Sequence, residues 1–145
     1  MKTIANTWPR SRKQPRSSPT PLQGTRLLGA GMLAVAGAAH IPVIPSHLRE
    51  APYVGVLFML LTVACMCLAV ILTWHANTSV YTAAAIITGA AIAAYVLSRT
   101  IGLPMIEDDI GNWFEPLGVI SVITETAAML ICTALIRRTS TSKTT

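Results

Sequence analysis

Apolar residues fall into four long blocks along the chain, and charged residues interrupt them almost only at their ends. No Asp, Glu, Lys or Arg occurs in residues 27–48, 51–98 or 116–136, with Glu125 as the single exception. A helix needs about 20 apolar residues to cross the core of a bilayer. The pattern therefore predicts spanning helices at residues 22–44, 52–74, 79–101 and 116–136, which we call predicted spans 1 to 4.

The composition favours a membrane protein over a soluble helical bundle. Apolar types make up 52% of the chain and charged types 12%, about half of the charged share of a soluble domain. Spans 2 and 3 also lack the polar face that a helix of a soluble bundle presents to water. We expect an all-α, four-helix transmembrane bundle that forms one membrane domain over residues 22–136.

The distribution of charge predicts how the bundle is oriented. Of the eleven Lys and Arg residues, six precede or open span 1 and three follow span 4, whereas five of the six acids lie between spans 1 and 2 or between spans 3 and 4. Because Lys and Arg remain on the cytoplasmic side, we expect both termini in the cytoplasm and a multi-pass protein of the plasma membrane. The net charge of +5 is thus a topology signal, and nucleic acid is not an expected partner.

The two ends of the chain have the composition of flanking segments. Residues 1–21 are rich in Pro, Ser and Arg and are predicted to form a disordered basic arm. Residues 137–145 are predicted to form a basic cytoplasmic tail.

Small residues and prolines indicate how the helices begin and meet. Span 1 and span 3 are rich in Gly and Ala, which allow close helix packing in lipid, so we expect these two spans at the centre of the bundle and span 2 nearer to lipid. Pro52 and Pro116 mark helix starts. Glu50 and Glu115 precede them, where an acid favours the positive end of the helix dipole.

Glu125 is the strongest candidate for a functional residue. It lies about 13 Å along span 4, at about 1.5 Å per residue, and a carboxyl group near the membrane centre should face the bundle interior. Candidate partners are His40, Tyr95 and Arg99, which lie in the same half of the membrane. Tyr95 would either donate a hydrogen bond to Glu125 or pack as an aromatic. Arg99 would either reach the interface or pair inward with Glu125 or a loop acid.

Two histidines flank the turn after span 1. Pro42 and Pro45 are expected to end span 1 and to fold the following segment back over the bundle. His47 would then cover the mouth of a pocket whose floor contains His40 and Glu125.

This pocket suggests three classes of function. His40, His47 and Glu125 offer two imidazoles and a carboxylate, which suit a divalent transition metal such as zinc, copper or iron, and Tyr95 and Arg99 would complete a site for a small ligand. The alternatives are an accessory or scaffold subunit of a larger membrane complex, and movement of protons or small solutes by a homo-oligomer. The sequence contains no nucleophile elbow, phosphate loop or paired catalytic carboxylates, which favours a role other than catalysis.

The chain resembles a known group of proteins in three strings of its sequence, which are "HIPVIPSHLREAPYVGVLF", "SRTIGLP" and "WFEPLGVISVITE". In this order they resemble a group of small four-helix bacterial integral membrane proteins without an established activity. The resemblance covers about residues 25–136. It groups His40, His47, Glu50, Pro52, Gly55, Arg99, Gly102, Pro104, Glu115, Gly118 and Glu125, and it implies no reaction or cofactor.

The predicted orientation can be tested with reporter fusions. Fusions at Lys143 should report a cytoplasmic position, and fusions within residues 107–111 should report the opposite side, because the basic residues cluster at the chain ends. An external signal at Lys143 would contradict the predicted topology.

Overall fold

The protein is an all-α bundle with four segments that are long and apolar enough to cross a membrane. The computed structural model describes residues 21–75 and 77–141, and these residues contain no strand. In chain order they form α1 (Pro21–His40), a 3-10 helix (Ile41–Val43), α2 (Ile44–Glu50), α3 (Pro52–Trp74), α4 (Thr78–Thr100), a second 3-10 helix (Glu107–Asp109) and α5 (Pro116–Thr141). The four candidate spans are Pro21–Glu50, α3, α4 and α5. The predicted fold class is therefore confirmed, and the orientation of the termini stays a prediction.

The flanking segments lie largely outside the described residues. The predicted disorder concerns residues 1–21, of which Pro21 alone is described, as the first residue of α1. At the other end α5 continues to Thr141, so part of the predicted tail extends the last helix.

Helix starts follow the local chemistry of the sequence. Asn77 caps α4 by accepting a hydrogen bond from the backbone N–H of Ser79 at 3.0 Å. Glu115 accepts one from the backbone N–H of Gly118 at 3.0 Å, as expected for an acid at a helix N-terminus. Glu50 instead ends α2 as an exposed side chain.

The expectation that Pro42 and Pro45 end the first α-helix is confirmed, since α1 ends at His40, but the chain does not leave the helical region there. The chain stays in the right-handed helical region at His40 (φ −80°, ψ −23°) and at Val43 (φ −90°, ψ −13°), and it remains helical to Glu50. Each proline lies in the first two positions of a new helical segment, where its missing N–H leaves no acceptor unsatisfied. The chain reverses one segment later, at Ala51 (φ −140°, ψ 83°).

Of the expectation that the first and third spans form the centre of the bundle, the part on α1 is confirmed and the part on α4 is wrong. The main interfaces join α1 to α3, α1 to α5 and α4 to α5, so α5 lies between α1 and α4. The small residues of α1 face these other partners: a Cβ at Gly29 would lie 3.0 Å from Ile131, and one at Gly37 would lie 3.2 Å from the Cβ of Cys65. A stripe of small residues marks a close contact without specifying which helix makes it.

The end of the bundle opposite residues 21 and 141, which we call the distal end, is closed by two segments that fold over it. One is α2, which packs on the start of α3. The other is the loop of residues 101–115, whose reversals occur at positive φ at Gly102 (77°), Met105 (70°) and Gly111 (81°). The Gly111 N–H donates to the carbonyl of Arg99 at 2.9 Å, and the Tyr53 hydroxyl donates to the carbonyl of Pro104 at 2.7 Å. These bonds hold the loop on α3 and α4.

Gly55 permits the close approach of α2 to α3. A Cβ at this position would lie 2.6 Å from Cγ of Leu48 and 2.7 Å from its backbone nitrogen. We predict that Gly55→Ala lowers the free energy of unfolding by about 1–3 kcal/mol, because α2 must move away. Gly31→Ala is the matched control, since a Cβ there meets no atom within 4 Å. Thermal unfolding in mild detergent would measure both, and equal stability of the two variants would contradict the prediction.

Candidate functional site

A cavity of about 410 Å³ opens between α3 and α4 at the distal end of the bundle. Residues of α1, α2 and α5 complete its wall. All five side chains that the sequence singled out line it: His40, His47, Tyr95, Arg99 and Glu125. The remaining lining is mostly apolar, and its further ionisable groups are Asp109 and Glu115. A concave, largely apolar space of this size with a few polar groups is typical of a small-molecule site.

Glu125 is buried in the wall of this cavity without a full set of partners. Its side chain is 1% exposed, and among the described residues its Oε1 atom accepts no hydrogen bond. Nε2 of His40 lies 3.8 Å from Oε1, which is too long for a hydrogen bond. The predicted inward orientation near His40 is confirmed, yet the carboxyl group retains unused bonding capacity.

Each of the two histidines is held by a backbone carbonyl group four residues earlier in the chain. Nδ1 of His40 lies 2.8 Å from the carbonyl of Ala36, and Nδ1 of His47 lies 2.8 Å from the carbonyl of Val43. A carbonyl oxygen can only accept, so each Nδ1 carries the hydrogen, and in the neutral ring each Nε2 retains a lone pair. The ring of Phe58 lies against both, with centroid distances of 5.0 Å to His40 and 4.9 Å to His47.

The structure does not assemble the predicted three-ligand metal site. Among residues 21–75 and 77–141, no three His, Cys, Asp or Glu side chains are grouped closely enough to hold one metal ion. His40 approaches both Glu125 and Phe58, whereas the recorded ring contact of His47 is with Phe58. The spacing along the chain placed both histidines at one depth, but it could not show that an aromatic ring occupies the space beside them.

Arg99 is paired inward with acids of the distal loop. Its residue is 6% exposed, its Nη1 lies 2.6 Å from Oδ1 of Asp109, and its Nη2 lies 3.7 Å from Oε2 of Glu115. The guanidinium carbon also lies 5.0 Å from the centroid of the Tyr95 ring. Of the two predicted roles, inward pairing is therefore confirmed, with loop acids as partners in place of Glu125.

Tyr95 does not bond to Glu125. Its hydroxyl donates to the backbone carbonyl of Trp113 at 2.8 Å, and the two rings meet edge to face at 6.2 Å. Of its two predicted roles, packing as an aromatic is confirmed, and the hydrogen bond to Glu125 is replaced by one to the loop of residues 101–115, which folds back and offers the Trp113 carbonyl. Tyr95 thus fixes the loop over the cavity.

Two important residues of the site were not predicted from the sequence. Phe58 lies in a uniformly apolar span, and nothing in the sequence distinguishes it from the other apolar side chains of α3. Asp109 belongs to an acidic run that has the composition of a solvated loop. Its distance of ten positions from Arg99 in the chain was the available clue, since a short loop can return an acid to the end of the preceding helix.

Comparison of the chain with protein-family models, with curated proteins and with solved structures finds no match.

The Arg99–Asp109 pair should contribute measurably to stability. We predict that Asp109→Asn lowers the free energy of unfolding by about 1–3 kcal/mol, because it leaves a buried guanidinium with a weaker partner. Asp108→Asn is the matched control, since it removes the same charge from an exposed neighbour. Thermal unfolding in detergent compares the variants, and an equal effect of both substitutions would show that the pair contributes nothing beyond the general charge of the loop.

Proposed function

We propose that the protein binds a small amphipathic molecule of the bilayer in its distal cavity. The observation that carries this proposal is the Glu125 carboxyl group, which is buried in the wall of an open, mostly apolar cavity while its Oε1 atom has no hydrogen-bond partner among the described residues. A buried polar group without a partner is costly, and a polar group inside a membrane protein is most often functional. A ligand with a polar head would supply the missing partner.

The shape of the cavity supports entry from the lipid. The interface between α3 and α4 is much smaller than the three main helix interfaces, and the cavity lies along it. Lining residues at this opening are exposed, with Leu57 at 56% and Leu60 at 61%. In a bilayer these side chains would contact acyl chains. A ligand with an apolar body would therefore reach the cavity from the membrane without crossing a polar surface.

The polar groups suggest how such a ligand would be oriented. His40 of α1 and Glu125 of α5 lie together in the lining, to which α3 contributes apolar side chains. We propose that the head of the ligand contacts this pair while its body remains between α3 and α4. The charge distribution further suggests that the distal end is the outer side of the plasma membrane. Binding in this cavity requires neither a particular oligomer nor a partner subunit. The roles as an accessory subunit and in solute movement stay predictions.

A fluorescent probe of this shape, 1-naphthalenemethanol, tests the proposal in phosphatidylcholine nanodiscs. We predict saturable binding to the parent protein, and at least about tenfold weaker binding to Ala91→Phe, because the new ring would fill the cavity that Ala91 lines and overpack it. Titration followed by naphthalene fluorescence measures both affinities.

Ala93→Phe is the matched control for this experiment. Ala93 is on the same helix but is exposed and does not line the cavity, so its substitution should leave probe affinity unchanged. If the parent protein and both variants take up equal amounts of probe, the binding is nonspecific and the proposal fails.

A further inference from the structure

We infer that the ligand of the distal cavity carries a protonated amine as its polar head. This inference rests on the proposed binding function and specifies its ligand class. Three features of the cavity point to a cation: the excess of acidic over basic side chains in its wall, the hydrogen-bonding capacity that is left over, and the aromatic ring beside His40.

The wall of the cavity contains more acids than bases. Its acids are Asp109, Glu115 and Glu125, and its one residue with a permanent positive charge is Arg99. The guanidinium of Arg99 is already shared between Asp109 and Glu115, at 2.6 Å and 3.7 Å. No permanent cation of the lining therefore pairs with Glu125. Charge complementarity favours a positively charged ligand at such a wall.

The atoms that remain free on this wall are mainly acceptors. Oε1 of Glu125 has no donor among the described residues. Nε2 of His40 lies 3.8 Å away, and it presents a lone pair because Nδ1 holds the hydrogen that bonds to Ala36. An ammonium group has several N–H donors and no acceptor, so it can donate to the carboxylate and to the imidazole at once. Charge-assisted bonds of this kind are about twice as strong as neutral ones.

Phe58 supplies an aromatic face at the same position. Its ring lies 5.0 Å from that of His40 and lines the same cavity as Glu125. The face of an aromatic ring attracts a cation, and the attraction is larger where water is excluded. The same ring offers apolar contact to the body of the ligand.

An anionic head is the main competing possibility. Nε of Arg99 is buried without an acceptor among the described residues, and this single donor would suit a carboxylate or a carbonyl oxygen. An anion at this position would, however, stand beside Asp109 and Glu115 in the same lining. Like charges at such distances oppose binding, which makes the amine the favoured class.

Three probes that share one naphthalene body separate these possibilities. They are 1-naphthylmethylamine, which is a cation at pH 7, the neutral 1-naphthalenemethanol, and the anion of 1-naphthoic acid. Each is titrated into phosphatidylcholine nanodiscs that hold the parent protein or Ala91→Phe. The difference between parent and variant removes the unequal partitioning of the probes into lipid, because both nanodiscs contain the same bilayer.

We expect cavity-dependent affinity to be highest for the amine, at least about tenfold above the alcohol, since a hydrogen bond to a charged group contributes more than a neutral one. The carboxylate should bind most weakly. If the alcohol binds in the cavity and the amine binds no better, the amine inference is overturned while the binding function stands. If no probe distinguishes the parent from Ala91→Phe, the binding function itself is overturned.

The Glu125→Gln variant tests whether the Glu125 carboxylate causes the preference for the amine probe. The substitution keeps the shape of the side chain and removes its charge, so amine affinity should fall about tenfold and the preference for the amine over the alcohol should be lost. Thermal unfolding in the same nanodiscs shows whether the variant is folded. Should this variant fail to fold, the comparison of the three probes on the parent protein still decides the inference. Retention of the full amine preference in a folded Glu125→Gln would contradict the role of the carboxylate.

Discussion

The hydrocarbon core of a bilayer offers no water to solvate an ionisable side chain, so helices that are apolar enough to span it must turn such side chains into the protein. This constraint governs the whole distal half of the bundle. It turns Glu125 from α5 toward His40 on α1, and it turns Arg99 at the end of α4 toward Asp109 and Glu115. The loop of residues 101–115 has to fold back over α4 to deliver these two acids. The cavity is the space enclosed by these inward-facing groups.

The two halves of the bundle differ in how closely their side chains pack. Toward the chain termini, α1, α3, α4 and α5 share an apolar core that includes Leu33, Leu72, Ala128 and Leu135. This core fills the space between the helices and holds them at fixed separations. Toward the distal end the helices leave a cavity that is lined mostly by apolar side chains and by a few polar groups. A tightly packed half thus supports an open half, as expected of a scaffold that presents a binding site.

The four spans could be predicted from the sequence, but most of the contacts between them could not. Long stretches without charged residues predicted the four helices, because crossing a membrane requires long apolar segments. Pro52 predicted the first residue of α3. Inward burial of Glu125 followed from the same physics. The partners of Arg99 and Tyr95 did not, since they depend on how the distal loop folds, and that path is set by positive φ at Gly102, Met105 and Gly111. Pro42 and Pro45 marked the end of α1 correctly, but the sequence did not show that each proline lies at the start of a further helical segment.

The central claim is that Glu125 is a carboxyl group reached from the bilayer and covered by a cationic ligand. Labelling with the lipid-soluble reagent N,N′-dicyclohexylcarbodiimide, which modifies carboxyl groups in apolar surroundings, tests it most directly. In phosphatidylcholine nanodiscs, peptide mass spectrometry should find Glu125 modified, with 1-naphthylmethylamine slowing the reaction and 1-naphthoate leaving it unchanged. The account would be contradicted if Glu125 stayed unmodified in the folded protein, or if the amine gave it no protection.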